Sequence, residues 1–94
     1  MIRLIITPQE SADVDRLEDW LTERGAHAAA ERLGALLADA LETLTEFPAR
    51  GRRTPRPTIR EIVVPFGSAA YLIQYRIDGD DVIVAQIRHS RERR

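Results

Sequence analysis

Apolar positions along the chain change spacing twice, and each change marks a new kind of element. Ile2 to Ile6 is a short apolar run with the length and composition of a buried strand. Thr7-Pro8-Gln9-Glu10 then carries helix-start chemistry: Thr7 can cap, Pro8 suits the first helical position, and Glu10 completes a capping box. Val14, Leu17 and Leu21 follow at spacings of three and four on one helical face, with Trp20 at its border. Gly25 stands where a helix C-terminus wants a left-handed residue. The spacing predicts a second helix over about Ala26 to Phe47. Its apolar stripe is Leu33, Leu36, Leu37, Ala40, Leu41, Leu44 and Phe47, and Ala28, Ala29, Ala35 and Ala38 keep its other faces slim. Pro48 stops it. The two helices form an antiparallel hairpin over about residues 8–47.

Beyond Pro48 the period falls to two. Ala49 to Pro57 reads as a basic linker whose two prolines oppose regular structure. Thr58 to Val64 reads as a strand, and Pro65-Phe66-Gly67-Ser68 as a turn. From Ala70 to Ile77 the alternation is clean, with Tyr71, Ile73, Tyr75 and Ile77 on one face. Asp78-Gly79 is a two-residue hairpin signal, and Val82 to His89 is the returning strand with Ile83, Ala85 and Ile87 on one side. Residues 90–94 are polar and are expected to be mobile. The order β-α-α-β-β-β predicts an α+β fold. A mostly antiparallel sheet, drawn from residues 2–6 and 58–89, carries the helical hairpin on one face. The length of 94 residues fits one domain over 1–94.

The charges are segregated along the chain. The formal net charge is only −1, but residues 1–49 hold ten acids against four arginines and residues 50–94 hold ten arginines against five acids. The halves are therefore at −6 and +5, and the arginine-rich half is the expected working surface. Every basic residue is arginine, whose planar fork suits carboxylate or phosphate contacts. The absence of cysteine excludes a disulfide framework, a thiolate zinc site and a cysteine nucleophile. No apolar run approaches the ~20 residues a membrane helix needs, and the N-terminus lacks a secretion-signal layout, so a cytoplasmic protein is expected.

Candidate chemistry is sparse. The two histidines, His27 and His89, lie far apart on different elements, so neither a metal site nor a cofactor is expected. The five glycines are too scattered for a phosphate loop, and Asp78, Asp80 and Asp81 are explained by turn chemistry. One cluster stands out: the last three strands bring Arg60, Gln74, Arg76, Arg88 and His89 to neighbouring positions. If Tyr71, Ile73 and Tyr75 face the helices, Gln74 and Arg76 face the open side. Alternation puts Arg88 and His89 on opposite faces, and parity alone leaves open which of them joins that side. Arginines with a histidine are the minimum for RNA cleavage, which also wants a general base, and Glu61 falls on the opposite strand face from Arg60. Tyr71 and Tyr75 belong in the sheet core with their hydroxyls at the rim. Trp20 and Phe66 suit either the core or a partner's pocket.

Three stretches, taken in order, resemble the ParE/RelE superfamily of bacterial toxins, and the ParE branch most closely. They are Arg60-Glu61-Ile62-Val63-Val64-Pro65, Tyr71-Leu72-Ile73-Gln74-Tyr75-Arg76-Ile77, and Val82 through His89-Ser90-Arg91. The Thr7-Pro8 start, Ala30-Glu31-Arg32-Leu33 and Glu46-Phe47-Pro48 agree with it. The resemblance implies the toxin of a type II toxin–antitoxin pair, with plasmid stabilisation and growth arrest as its setting. A ParD-like antitoxin would neutralise it in a hetero-oligomer. ParE-like relatives poison DNA gyrase by binding, whereas RelE-like relatives cut mRNA on the ribosome. RelE-type nucleases carry an arginine after the aromatic of the Tyr71 strand, where this chain has Leu72. The resemblance therefore implies a non-catalytic gyrase inhibitor, and the charge split puts the expected target contacts at Arg88, His89, Arg91, Arg93 and Arg94. Antitoxin contacts are expected at Trp20, Arg60, Phe66 and Arg76. The alternative is ribosome-dependent mRNA cleavage using His89, Arg91 and Arg76.

Overall fold

The leucine stripe of the second helix organises the packing. In α2 (His27–Glu46), Ala30, Leu33, Leu37, Leu41 and Leu44 are buried at spacings of three and four. Fully burying one such leucine is worth ~1.5–3 kcal/mol, so this face outweighs every surface contact described below. Leu36 and Phe47, which the spacing counts in the stripe, lie outside it at 40% and 65% exposure. Leu36 sits at the border of the buried arc, and Phe47 follows the last helical turn. The computed structural model describes residues 1–90, without the side chains of residues 8–14 and 18, so the expected roles of Glu10 and Val14 lie outside the described residues. In α1 (Pro8–Glu23), Leu17 and Leu21 are buried against the same core. Gly25 adopts φ +76° between the helices, a value that costs a Cβ-bearing residue, and Ala26 N–H reaches back to the Leu21 carbonyl at 3.0 Å.

Five strands form one sheet: β1 (Arg3–Ile6), β2 (Arg52–Arg53), β3 (Arg60–Phe66), β4 (Ala69–Asp78) and β5 (Asp81–His89). Their spatial order is β1-β5-β4-β3-β2, with β1 parallel to β5 and the other pairs antiparallel. This is the expected α+β architecture with one strand more. The segment read as irregular, Ala49 to Pro57, contributes the end of a 3₁₀ turn (Pro48–Arg50) and then β2, which pairs Arg52 with Glu61 and Arg53 with Arg60. The prolines at 55 and 57 fall after that pairing and do not obstruct it.

A bulge in β5 overturns one expected face. Gln74 is opposite Gln86, but Tyr75 is opposite Val84, so Ala85 is an extra residue. Side chains before and after it therefore keep different parity. Val82, Val84 and Ile87 are buried in the core, whereas Ile83 is half-buried and Ala85 exposed. Ile77, expected beside Tyr75, is 41% exposed near the hairpin end. The turn itself is Gly79-Asp80, one position later than Asp78-Gly79, closed by the Asp78–Asp81 pair. Among the described residues no helix is long and apolar enough to cross a membrane.

Candidate functional site: a polar ladder, an anchored arginine segment and an aromatic cleft

On the sheet face away from the helices, register places Arg52, Glu61, Gln74 and Gln86 side by side across four strands. Glu61 is the one buried charged side chain among the described residues, at 7% exposure. Its Oε1 accepts both Arg52 Nε, at 3.0 Å, and Arg52 Nη2, while Oε2 accepts Gln74 Nε2 at 3.0 Å. Burial pushes the carboxyl up, but the Arg52 and Gln74 hydrogen bonds and the charges of Arg52 and Arg88 outweigh it. The net effect lowers Glu61 below the ordinary value of 4.5. Gln86 Oε1 ends the row, buried and without a hydrogen-bond partner among the described residues. A second row on this face carries Val63, Leu72 and Arg88.

The second assembly anchors the arginine segment. Tyr75 is fully buried, and its hydroxyl accepts from Gly51 N–H at 2.8 Å while donating to the Pro48 carbonyl at 2.6 Å. The expectation of a hydroxyl at the rim is corrected, because the incoming loop covers that rim. Burial pushes the Tyr75 hydroxyl above its ordinary pKa, only partly offset by Gly51 N–H and the charges of Arg60 and Arg50. Arg60 Nη1 donates to the carbonyls of Ala49 at 3.2 Å and Gly51 at 2.9 Å, and Arg50 Nη1 donates to Thr43 Oγ1 at 2.8 Å. These bonds satisfy the backbone groups of a loop pressed against the core.

The third assembly is a cleft of about 280 Å³ between α1 and the sheet, lined by Arg16, Leu17, Trp20, Tyr71 and His89. His89 is opposite Tyr71 in register and meets its ring edge-on at 5.1 Å between centroids. Trp20 is 50% exposed, with the Arg24 guanidinium carbon 4.4 Å from its ring centroid.

These positions divide the predicted cluster. Gln74, Arg76 and Arg88 share the open face, and Arg76 is an exposed side chain 3.9 Å from Asp78. Arg60 is opposite Tyr75 and belongs to the helix side, where it holds loop carbonyls. His89 also belongs to the helix side, because the bulge sets Ile87 and His89 inward and Arg88 outward. Of the two residues whose face parity left open, Arg88 joins Gln74 and Arg76, whereas Arg60 and His89 lie on the other side of the sheet. Phe66 is half-buried, packed on the core with an edge-on contact to Tyr71 at 5.7 Å and Arg32 above it. Arg91, Arg93 and Arg94 lie outside the described residues. The Arg52–Glu61–Gln74 row and the roles of Gly51, Arg16 and Leu17 were missed by sequence reasoning. Only the parity of Glu61 and Gln74 hinted at the first of these.

Residues 4–94 match the family described as the ParE toxin of the type II toxin–antitoxin system parDE. Toxin RelE1 of Caulobacter vibrioides is 48% identical over 97% of this chain and 96% of its own. Toxin RelE3 of the same organism is 40% identical over 93% of this chain and 92% of its own. A solved structure described as a chromosomal ParDE TA system from P. aeruginosa superposes with a TM-score of 0.76 at 18% identity, covering 95% of this chain and 96% of that one. The fold is thus shared where sequence has diverged, and the full-length family match settles the kinship: this chain belongs to the ParE toxin family of type II toxin–antitoxin systems.

Proposed function

We propose that this toxin arrests growth by binding DNA gyrase without breaking bonds itself, and that a ParD-like antitoxin neutralises it inside a cytoplasmic hetero-oligomer. The observation that carries this reading is the division of Arg88 and His89 between the two sheet faces. General acid–base cleavage of RNA needs a proton carrier and a phosphate-gripping cation around one scissile group. Here the imidazole packs beside Tyr71 in a cleft whose described lining includes the Arg16 cation but no carboxylate to serve as a base, while Arg88 lies behind the sheet with Leu72 opposite it. Glu61, the candidate base singled out on the strands, lies on the opposite sheet face from His89, is held by Arg52 and Gln74, and holds its proton less tightly than an ordinary carboxylate.

The Caulobacter vibrioides relatives carry RelE in their names, which makes ribosome-dependent mRNA cleavage the competing reading. Purified protein added to gyrase and relaxed plasmid is expected to block supercoiling and accumulate cleaved DNA. Undisturbed supercoiling at a large excess of toxin would remove gyrase as the target.

A further inference from the structure

The stretch from Phe47 to Arg60 contains five arginines and no acid. Three of the five are committed inside the molecule: Arg50 to Thr43, Arg52 to Glu61, and Arg60 to the Ala49 and Gly51 carbonyls. Arg53 and Arg56 are exposed, and Phe47, at the base of the same stretch, is 65% exposed. The backbone that presents them is fixed, because Tyr75 holds both Pro48 and Gly51 and the Thr54 hydroxyl bonds the carbonyls of Arg56 at 3.1 Å and Ile59 at 2.9 Å.

We infer that Phe47, Arg53 and Arg56 form a preorganised docking surface for an acidic, leucine-bearing segment of the antitoxin, an inference that rests on the toxin–antitoxin reading. The positive charge selects carboxylates, the exposed aromatic ring takes an apolar side chain, and a loop already ordered before binding carries little entropic cost. Nucleic acid fits this face less well. Two solvent-directed guanidiniums and one aromatic ring make no extended track, and residues 1–49, at −6, repel a long polyanion. This surface is separate from the Arg76 and Arg88 face of the sheet.

The test titrates full-length protein into a labelled synthetic peptide of Glu, Asp and Leu, and separately into single-stranded DNA, at low and at physiological salt. The peptide should bind, and Arg53→Glu/Arg56→Glu should weaken it roughly tenfold or more. Phe47→Ser should weaken it less, Arg3→Glu at the opposite edge of the sheet should leave it unchanged, and thermal melting should confirm that each variant is folded. Absent peptide binding, binding indifferent to Arg53→Glu/Arg56→Glu, or tighter DNA binding lost in that same variant would overturn the inference. Growth arrest by the wild-type protein is scored separately. A strain that grows normally would count against the toxin reading and leave the peptide result to stand or fall alone.

Discussion

Gly51→Ala is expected to destabilise the fold by roughly 2–4 kcal/mol. A Cβ at that position would stand 2.5 Å from the Tyr75 hydroxyl oxygen and 2.7–2.9 Å from two of its ring carbons. The tyrosine has no room to retreat, since it is fully buried in the core cluster that also holds Ile73, Val84 and Leu44. Either the ring shifts and overpacks the core, or the loop lifts and leaves Gly51 N–H and the Pro48 carbonyl without the hydroxyl they share. Gly51 is at φ −68°, ψ 147°, an ordinary extended conformation, so the penalty is steric and does not come from backbone strain. Urea denaturation should show a lower midpoint with an unchanged slope. A midpoint within error of the wild type would mean that the loop does not rest on Tyr75.

Glu61→Ala is the second large change, at roughly 1–3 kcal/mol. Removing the carboxylate takes the acceptor from Gln74 and the counter-charge from Arg52 and Arg88, in a position that is 7% exposed. The figure is below that of a fully buried pair because the Arg52 side chain is 63% exposed and keeps its hydration. The pH dependence has a definite sign. The folded protein holds the Glu61 proton less tightly than the unfolded chain, so this stabilisation is complete above about 4.5 and is lost as pH falls through the lower folded value. The alanine variant should therefore lose less stability than the wild type on acidification through that window. Parallel stability curves for the two proteins would show that the ladder carries no ionic stabilisation.

Helical spacing was legible because burial and period agree: Leu33, Leu37, Leu41 and Leu44 lie where a 3.6-residue repeat puts them. Strand existence was equally plain around Tyr71, Ile73 and Tyr75. What the residues did not announce was the bulge. Val82 to Ala85 is apolar at every position, so alternation had nothing to read, and the extra residue at Ala85 reversed the expected face. The same bulge decides the candidate site, because it turns His89 towards Tyr71 and leaves Arg88 with Leu72. The two-residue β2 escaped notice for a different reason. It is too short for periodicity, and it is held by tertiary anchors, Glu61 on one side and Tyr75 through Gly51 on the other. The four arginines that read as one basic linker thus divide into two that bind the molecule itself, Arg50 and Arg52, and two that face solvent, Arg53 and Arg56.

The most direct measurement is a map of RNA ends in cells producing the toxin, compared with cells producing the His89→Ala variant. Growth should stop in the wild-type culture, and neither culture should show new site-specific RNA ends. Defined cuts in translated messages that vanish on His89→Ala would contradict a toxin that works by binding alone.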